Sequence, residues 1–269
     1  MAKVALSGAA GNMGSILRVE LPKRGVDLRS AGGRNPLEPL RPGEDVMHGD
    51  LRDPGVVDQL LSGVGVLIHL AGTSVERPLP EIIENNLVAL HQVYEGARRN
   101  GVQRIVFASS NHAFGMYSVK DKLTLDAPFR PDGFYGLSKV WGEAMARMYW
   151  DKHGIEGISV RIGTAMGRPP ENFRQLSTWF GTEDLVDLIM RCIEVPDVGY
   201  TVVWGVSDNA RCYWDNSGER LGYRPRQNAE HYAGDILKQP NPLDSVARQF
   251  QGGQFVTIDF TPMERRRKS

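Results

Sequence analysis

Two cysteines in 269 residues, Cys192 and Cys212, are too few to staple a fold. That excludes a disulfide scaffold and fits a reducing compartment where both remain thiols. Net charge is missing as well, with Lys plus Arg and Asp plus Glu at 32 each. A balanced chain sets up no long-range field, so neither nucleic acid nor an anionic membrane is expected as a partner. No apolar run approaches the roughly 18 residues of a membrane span. The opening Met1-Ala2-Lys3-Val4-Ala5-Leu6 runs into a glycine loop without the apolar stretch of a secretory signal. A cytoplasmic location is therefore expected. None of the six histidines stands at metal-ligand spacing, so no metal is expected. What remains is ordinary: 41% hydrophobic and 24% charged residues, which excludes disordered, collagenous and coiled-coil chains. The length suits one to two domains and a large core.

Short apolar runs alternate with amphipathic stretches over the first 165 residues. Residues 4–7, 26–31, 66–69, 104–108 and 158–162 read as strands, several apolar throughout as strands buried on both faces are. Residues 81–100 carry the clearest helical pattern, with Ile83, Leu87, Leu90, Tyr94 and Ala97 on one face and Asn100-Gly101 as the stop. Strand–helix alternation predicts an α/β fold, a Rossmann-type doubly wound parallel sheet. We expect residues 1–162 to form the dinucleotide-binding core. Residues 163–269 would add a small C-terminal substrate cap in the same compact unit, with 183–204 rejoining the core as a helix and a strand. Residues 163–182 read as a loop. The tail Arg265-Arg266-Arg267-Lys268 reads as a solvated charge run.

Gly8-Ala9-Ala10-Gly11-Asn12-Met13-Gly14 follows the first strand and opens a helix. Glycines there permit a tight turn and close approach to a pyrophosphate, whose charge sits on the helix N-terminus. Dinucleotide binding by Gly8, Gly11, Asn12, Met13 and Gly14 is expected. A carboxylate after the second strand would bond the ribose hydroxyls; this chain has Gly32-Gly33-Arg34-Asn35 instead. Gly33 repels nothing, and the Arg34 fork suits a 2′-phosphate, which favours NADP, while NAD binds if Arg34 only stacks on adenine. Asp50 and Leu51, after the third strand, are placed to meet the adenine; Asp50 also reads as a helix N-cap near Pro54. Ala71-Gly72, after the fourth strand, offers close backbone passage near the nicotinamide.

Tyr135-Gly136-Leu137-Ser138-Lys139 starts another helical stretch, and residues four apart share a face. Tyrosine titrates near 10, so work as a base near neutrality needs a shift of about 2–3 units. A neighbouring Lys⁺ and the cationic nicotinamide would favour the phenolate. Ser110 lies 25 residues before Tyr135, at the C-terminal end of the fifth strand, where it reaches the sheet's ligand crevice.

Glycine loop, serine and Tyr-x-x-x-Lys pair together resemble the extended short-chain dehydrogenase/reductase superfamily over almost the whole chain. The resemblance implies a Ser–Tyr–Lys site at Ser110, Tyr135 and Lys139, and a water relay from Asn86 to Lys139. Gly72-Thr73-Ser74-Val75-Glu76-Arg77-Pro78, Ala108-Ser109-Ser110-Asn111-His112, Val160-Arg161-Ile162-Gly163, Tyr213-Trp214-Asp215-Asn216 and Phe250-Gln251-Gly252-Gly253 further resemble bacterial uronate dehydrogenases. That resemblance implies oxidation of C1 of glucuronate or galacturonate to the aldarolactone, and makes Arg174 the carboxylate clamp. Two departures stand out: the family's acid after the second strand is missing, and Thr164-Ala165-Met166-Gly167 replaces the usual Ser and Phe-Pro loop.

Chemistry agrees with a sugar acid. Such a substrate needs one cation and several hydroxyl partners, and Ser74, Ser110, Asn111 and His112 offer these at strand ends, with Thr164 as a further contact. Tyr135 would take the C1 hydroxyl proton, Lys139 would steady the phenolate, and Arg174 would orient the carboxylate. The alternatives are a neutral aldose dehydrogenase, a nucleotide-sugar epimerase or dehydratase, and a non-catalytic NADP-binding sensor. Homo-oligomers are usual in the superfamily and are expected here.

Overall fold

In the computed structural model, which describes residues 2–34 and 36–262, seven strands form one sheet in the order β3-β2-β1-β4-β5-β6-β7. The strands are β1 (Lys3–Ser7), β2 (Leu28–Ala31), β3 (Asp45–Met47), β4 (Val64–His69), β5 (Arg104–Ser110), β6 (Glu156–Ile162) and β7 (Tyr200–Gly205). Every neighbouring pair is parallel. Asn35 and the basic tail at 265–268 lie outside the described residues.

Alternate residues of each strand serve opposite faces. Val4 and Leu6 of β1, with Val160 and Val203, meet Leu17 and Leu21 of α1 (Asn12–Lys23) and Leu185, Leu188 and Ile189 of α7 (Thr182–Glu194). Ala5, Leu67, Ile105 and Phe107 point the other way. They meet α2 (Pro54–Leu61), α4 (Ala89–Asn100) and α5 (Phe134–His153) through Leu60, Val93, Ala97, Met145 and Tyr149. Each Val, Leu, Ile, Phe or Met side chain among these stabilises the fold by about 1.5–3 kcal/mol when fully buried.

The predicted helix over 81–100 is interrupted. α3 (Leu79–Ile82) passes into a π-helical turn, Ile83–Val88, before α4 begins. One extra residue in that turn shifts the helical phase. Ile83 of the expected apolar face is consequently exposed, Ile82 and Asn86 are buried, and the predicted face holds only from Leu90 onward. Gly101, at φ 70°, ends α4 in the left-handed conformation.

Residues 163–182, expected as a loop, contain the one-turn helix α6 (Gln175–Thr178) and run into α7. Above the C-terminal strand ends, Trp204 and Trp214 stack at 4.9 Å with Phe114 and Leu123 beside them. Leu176 and Trp179 pack on Ala229, Ala233 and Ile236. No helix among the described residues is long and apolar enough to cross a membrane.

Candidate active site

Strand order reverses between β1 and β4, and the crevice there is where a doubly wound sheet takes its ligand. A cleft of ≈ 750 Å³ opens at that point and runs from Arg34 and Asp50, past the glycine loop, to Tyr135, Arg174 and Phe255. At its centre the glycines fit a dinucleotide cradle. Gly8 has φ +74°, and a Cβ there would stand 2.8 Å from the Ala71 nitrogen. A Cβ on Gly14 would overlap the Gly8 carbonyl, so glycine is what lets α1 start hard against the turn. No side chain caps α1 at Gly11, which leaves its first N–H groups directed at an incoming anion. Gly11, Asn12, Met13, Leu51, Ala71, Gly72 and Gly33 line the same cleft.

At the far end Arg34 is not a free fork. Its Nη2 donates to Asn85 Oδ1 at 3.2 Å, and its Nε stands 3.4 Å from Asp50 Oδ2. Asp50 in turn accepts from Arg52, whose hydrogen bonds, against the penalty of burial, lower its carboxyl to about 2. Two guanidiniums therefore flank one carboxylate. Asp50 is not the N-cap of α2; that place belongs to Asp53, whose Oδ1 accepts from Gly55 N at 2.8 Å.

The α5 N-terminus places the Tyr135 phenol. Gly133, its N-cap, has no side chain to offer, and the cap comes from across the cleft. Glu76 Oε1 and Oε2 accept from the backbone N–H groups of Phe134 and Tyr135, each at 2.9 Å. A Cβ on Gly136 would overlap the His112 carbonyl oxygen, so a glycine after Tyr135 lets α5 close on the turn after β5.

Tyr135 and Lys139 project together from α5 as their spacing predicts. Lys139 Nζ donates to the Ala108 carbonyl at 2.8 Å and lies 5.4 Å from the Tyr135 ring centre. Its apolar neighbour is Phe107, and burial lowers the ammonium to about 8. The expected lowering of the Tyr135 phenol does not hold in the protein alone. Burial pushes it up to about 12, a hydrogen bond from Ser110 opposes the rise, and the Asp132 charge adds to it. Desolvation of a phenolate outweighs one hydroxyl donor. Ser110 Oγ also accepts from His112 N at 3.1 Å, which starts the 3₁₀ turn Asn111–Phe114.

Asn86 sits in the π-helical turn and is turned inward by it. Its Nδ2 donates to Thr73 O at 3.0 Å and Ser138 Oγ at 2.9 Å, and its Oδ1 accepts from Thr73 N at 2.7 Å. Both amide hydrogens are thus spent on the Thr73 turn and on α5. The side chain ties those two elements together and makes no hydrogen bond with Lys139 among the described residues.

At the other end of the cleft, Arg174 Nε donates to Gln251 O at 2.7 Å. The Asn111 amide, oriented to satisfy both neighbours, accepts from Arg174 Nη2 at 2.6 Å and donates to Ile162 O at 3.0 Å. Burial lowers the Arg174 guanidinium, against the charge of Tyr213 and Asp132. Ser74 and Thr164 line the cleft, the Thr164 hydroxyl sharing a 2.8 Å hydrogen bond with Thr178. His112 pairs through Nδ1 with Asp132 Oδ2 at 2.7 Å and stacks on Phe255 at 4.0 Å. Sequence reasoning missed the roles of Glu76, Asp132, Gln251 and Phe255. The signal for Glu76 was a helix start with glycine where a capping side chain belongs; the others left no local signal.

Comparison with known proteins agrees with this geometry. Residues 4–201 match the model of the NAD dependent epimerase/dehydratase family. A uronate dehydrogenase from Agrobacterium fabrum is 44% identical over 260 residues, covering 95% of this chain and 97% of its own. One from Pseudomonas syringae pv. tomato is 42% identical, covering 94% and 93%. A crystal structure of a mutant uronate dehydrogenase from Agrobacterium tumefaciens complexed with NAD superposes with a TM-score of 0.90 at 42% identity, covering 97% of this chain and 100% of that one. A chain that matches over this span belongs to the NAD dependent epimerase/dehydratase family, with uronate dehydrogenases among its relatives.

Proposed function

We propose that this protein is an NAD(P)-dependent uronate dehydrogenase, oxidising C1 of glucuronate or galacturonate to the aldarolactone. The observation that carries the reading is the placement of a half-buried guanidinium, Arg174, in the same cleft as the Ser110–Tyr135–Lys139 group. A neutral sugar gives that cation nothing to pair with, and a uronate carboxylate does. The relatives' names support the same substrate class.

When bound, the dinucleotide supplies the hydride acceptor and a positive ring beside the phenol. Tyr135 accepts the C1 hydroxyl proton. Ser110 donates to the phenol oxygen and stabilises the charge that forms there. Lys139, anchored on the Ala108 carbonyl, adds its charge beside the ring and holds the nicotinamide ribose. Arg174, Asn111, His112, Ser74 and Thr164 hold the sugar in one pose. Asn86 acts by fixing the Thr73 turn and α5 with respect to each other.

Gly8, Gly11, Asn12, Met13 and Gly14 take the pyrophosphate, while Asp50 and Leu51 flank the adenine. Gly33 and Arg34, with no carboxylate directly after β2, favour NADP if Arg34 turns from Asp50 and Asn85 to a 2′-phosphate, and NAD is the dinucleotide in the related crystal structure. Residues 1–162 serve as the dinucleotide-binding core, and 163–269 add the sugar-facing cap, with 183–204 rejoining the core through α7 and β7. Free Cys192 and Cys212 fit a cytoplasmic setting. Self-association is part of the reading: Phe134, Leu137, Trp141 and Met148 leave an exposed apolar stripe along α5.

The test is initial rates of dinucleotide reduction, crossing glucuronate, galacturonate, glucose and galactose with NAD and NADP. Turnover of uronates but not of the parent aldoses is expected. Turnover of the neutral sugars alone, or of none, overturns the reading.

A further inference from the structure

Behind His112 lies a carboxylate that the proposed reaction does not use. The Asp132 side chain is 0% exposed, and its Oδ2 meets His112 Nδ1 at 2.7 Å. Its other oxygen, Oδ1, is buried with no hydrogen-bond partner among the described residues. A buried carboxyl oxygen without a partner is costly, so the fold gives up stability to keep it. The space is also kept clear on three sides. A Cβ on Gly115 or on Gly252 would overlap Asp132 Oδ2, and one on Gly136 would stand 3.1 Å from Oδ1. Those glycines come from the turn after β5, the start of α5 and the segment near the end of the chain, which all close on one carboxylate.

An ionised carboxylate only accepts hydrogen bonds, so the proton it meets is on Nδ1. In the neutral imidazole Nε2 is then a bare acceptor. Phe255 stacked on the ring at 4.0 Å and Tyr135 edge-on at 5.7 Å fix its plane. Nε2 makes no hydrogen bond among the described residues, and His112 lines the cleft between Tyr135 and Arg174.

We infer that Asp132 is a positioning residue that acts through His112. It holds one tautomer, so that Nε2 accepts a hydrogen bond from a ring hydroxyl lying between C1 at Tyr135 and the carboxylate-bearing C5 at Arg174. The ligand class is a sugar with a hydroxyl donor at that place. This inference rests on the proposed uronate activity, because the carboxylate at Arg174 sets which hydroxyls face His112.

A double-mutant cycle tests it. Asp132→Ala, His112→Ala and the double variant are assayed for kcat/KM with the better uronate, for NAD Kd and for Tm. Each single change is expected to lower kcat/KM about tenfold or more, mainly through KM, with NAD Kd within about twofold. The double variant should lose no more than His112→Ala alone, since a residue acting through another has nothing left to act on. Losses that multiply, or an NAD Kd that worsens along with KM, overturn the inference. The first would put Asp132 on Tyr135 directly, and the second would give it a merely structural role. Should Asp132→Ala not fold, Asp132→Asn of equal size completes the same cycle with the same criterion. Failure of the uronate reading shows differently, as a wild-type enzyme that oxidises neither uronate; the cycle then runs on whichever sugar it does oxidise.

Discussion

Glu76 and Tyr135 are joined by a 2.9 Å hydrogen bond from the tyrosine's backbone N–H to the glutamate's Oε2, across 59 residues of sequence. A carboxylate on one side of the cleft thus caps the helix that carries the proposed base from the other side. It meets two orphan N–H groups and the positive end of α5 at once. Glu76→Ala should lower stability by about 1 kcal/mol, the usual worth of a cap. It should also lower kcat more than it raises KM, because the phenol loses its fixed height. A melt and a steady-state assay on one preparation check both; an unchanged kcat would separate the cap from the chemistry.

In the proposed reading Arg174 sets the demand for a carboxylate. Arg174→Ala should raise KM for uronates by about 10- to 100-fold, the range for a lost hydrogen bond to a charged group. Rates on glucose or galactose should not fall in parallel. A uniform loss on all four sugars would mean that the change had disturbed Gln251 and Asn111 instead.

Ser110 works against burial at the Tyr135 phenol. Burial raises the phenol, which leaves less phenolate at any given pH, so kcat/KM should climb as pH rises on the alkaline side. The Ser110 hydrogen bond lowers the phenol. Ser110→Ala therefore moves that climb to higher pH. A profile of kcat/KM against pH for both proteins reads the shift, and one that stays in place removes Ser110 from proton transfer.

Arg34 and Arg52 flank Asp50 at the adenine end. Arg34→Ala should reduce the preference for NADP over NAD by about tenfold or more. The check is the ratio of kcat/KM for the two dinucleotides, and an unchanged ratio would reduce Arg34 to a partner of Asp50 and Asn85.

Along α5, Trp141 stands in the middle of the exposed apolar stripe. Trp141→Lys should shift the sedimentation profile toward smaller species while leaving the melting temperature of the fold close to wild type. Identical profiles would place any self-association on another face.

Legibility tracks the reach of the interactions. The glycine loop and the Tyr135–Lys139 pair are readable because both depend on spacing within one or two turns of chain. Strand positions are readable because burial on both faces leaves apolar runs, as at Ile105–Ala108 within β5, a strand whose every residue is buried. The π-helical turn at Ile83–Val88 is not, since one inserted residue changes no composition and only rotates the residues after it. Arg34 reads as a free fork because nothing local announces Asp50 and Asn85, which the sheet order brings to it. The phenol's protonation escapes the sequence for the same reason: burial is a property of the closed fold. Asp132 and Glu76 act over 20 and 59 residues, and only the topology supplies those contacts.

Gln251 and Phe255 bring one more consequence. Gln251 O receives Arg174, its side chain bridges Trp214 to Ser118 and Asp121, and Phe255 covers His112. The last stretch of the described chain therefore covers the Arg174–His112 end of the cleft, while the glycine loop at the cleft's centre comes from residues 8–14. A chain deprived of these residues would keep its glycine loop, while Arg174 would lose its Gln251 acceptor and His112 its stacked ring.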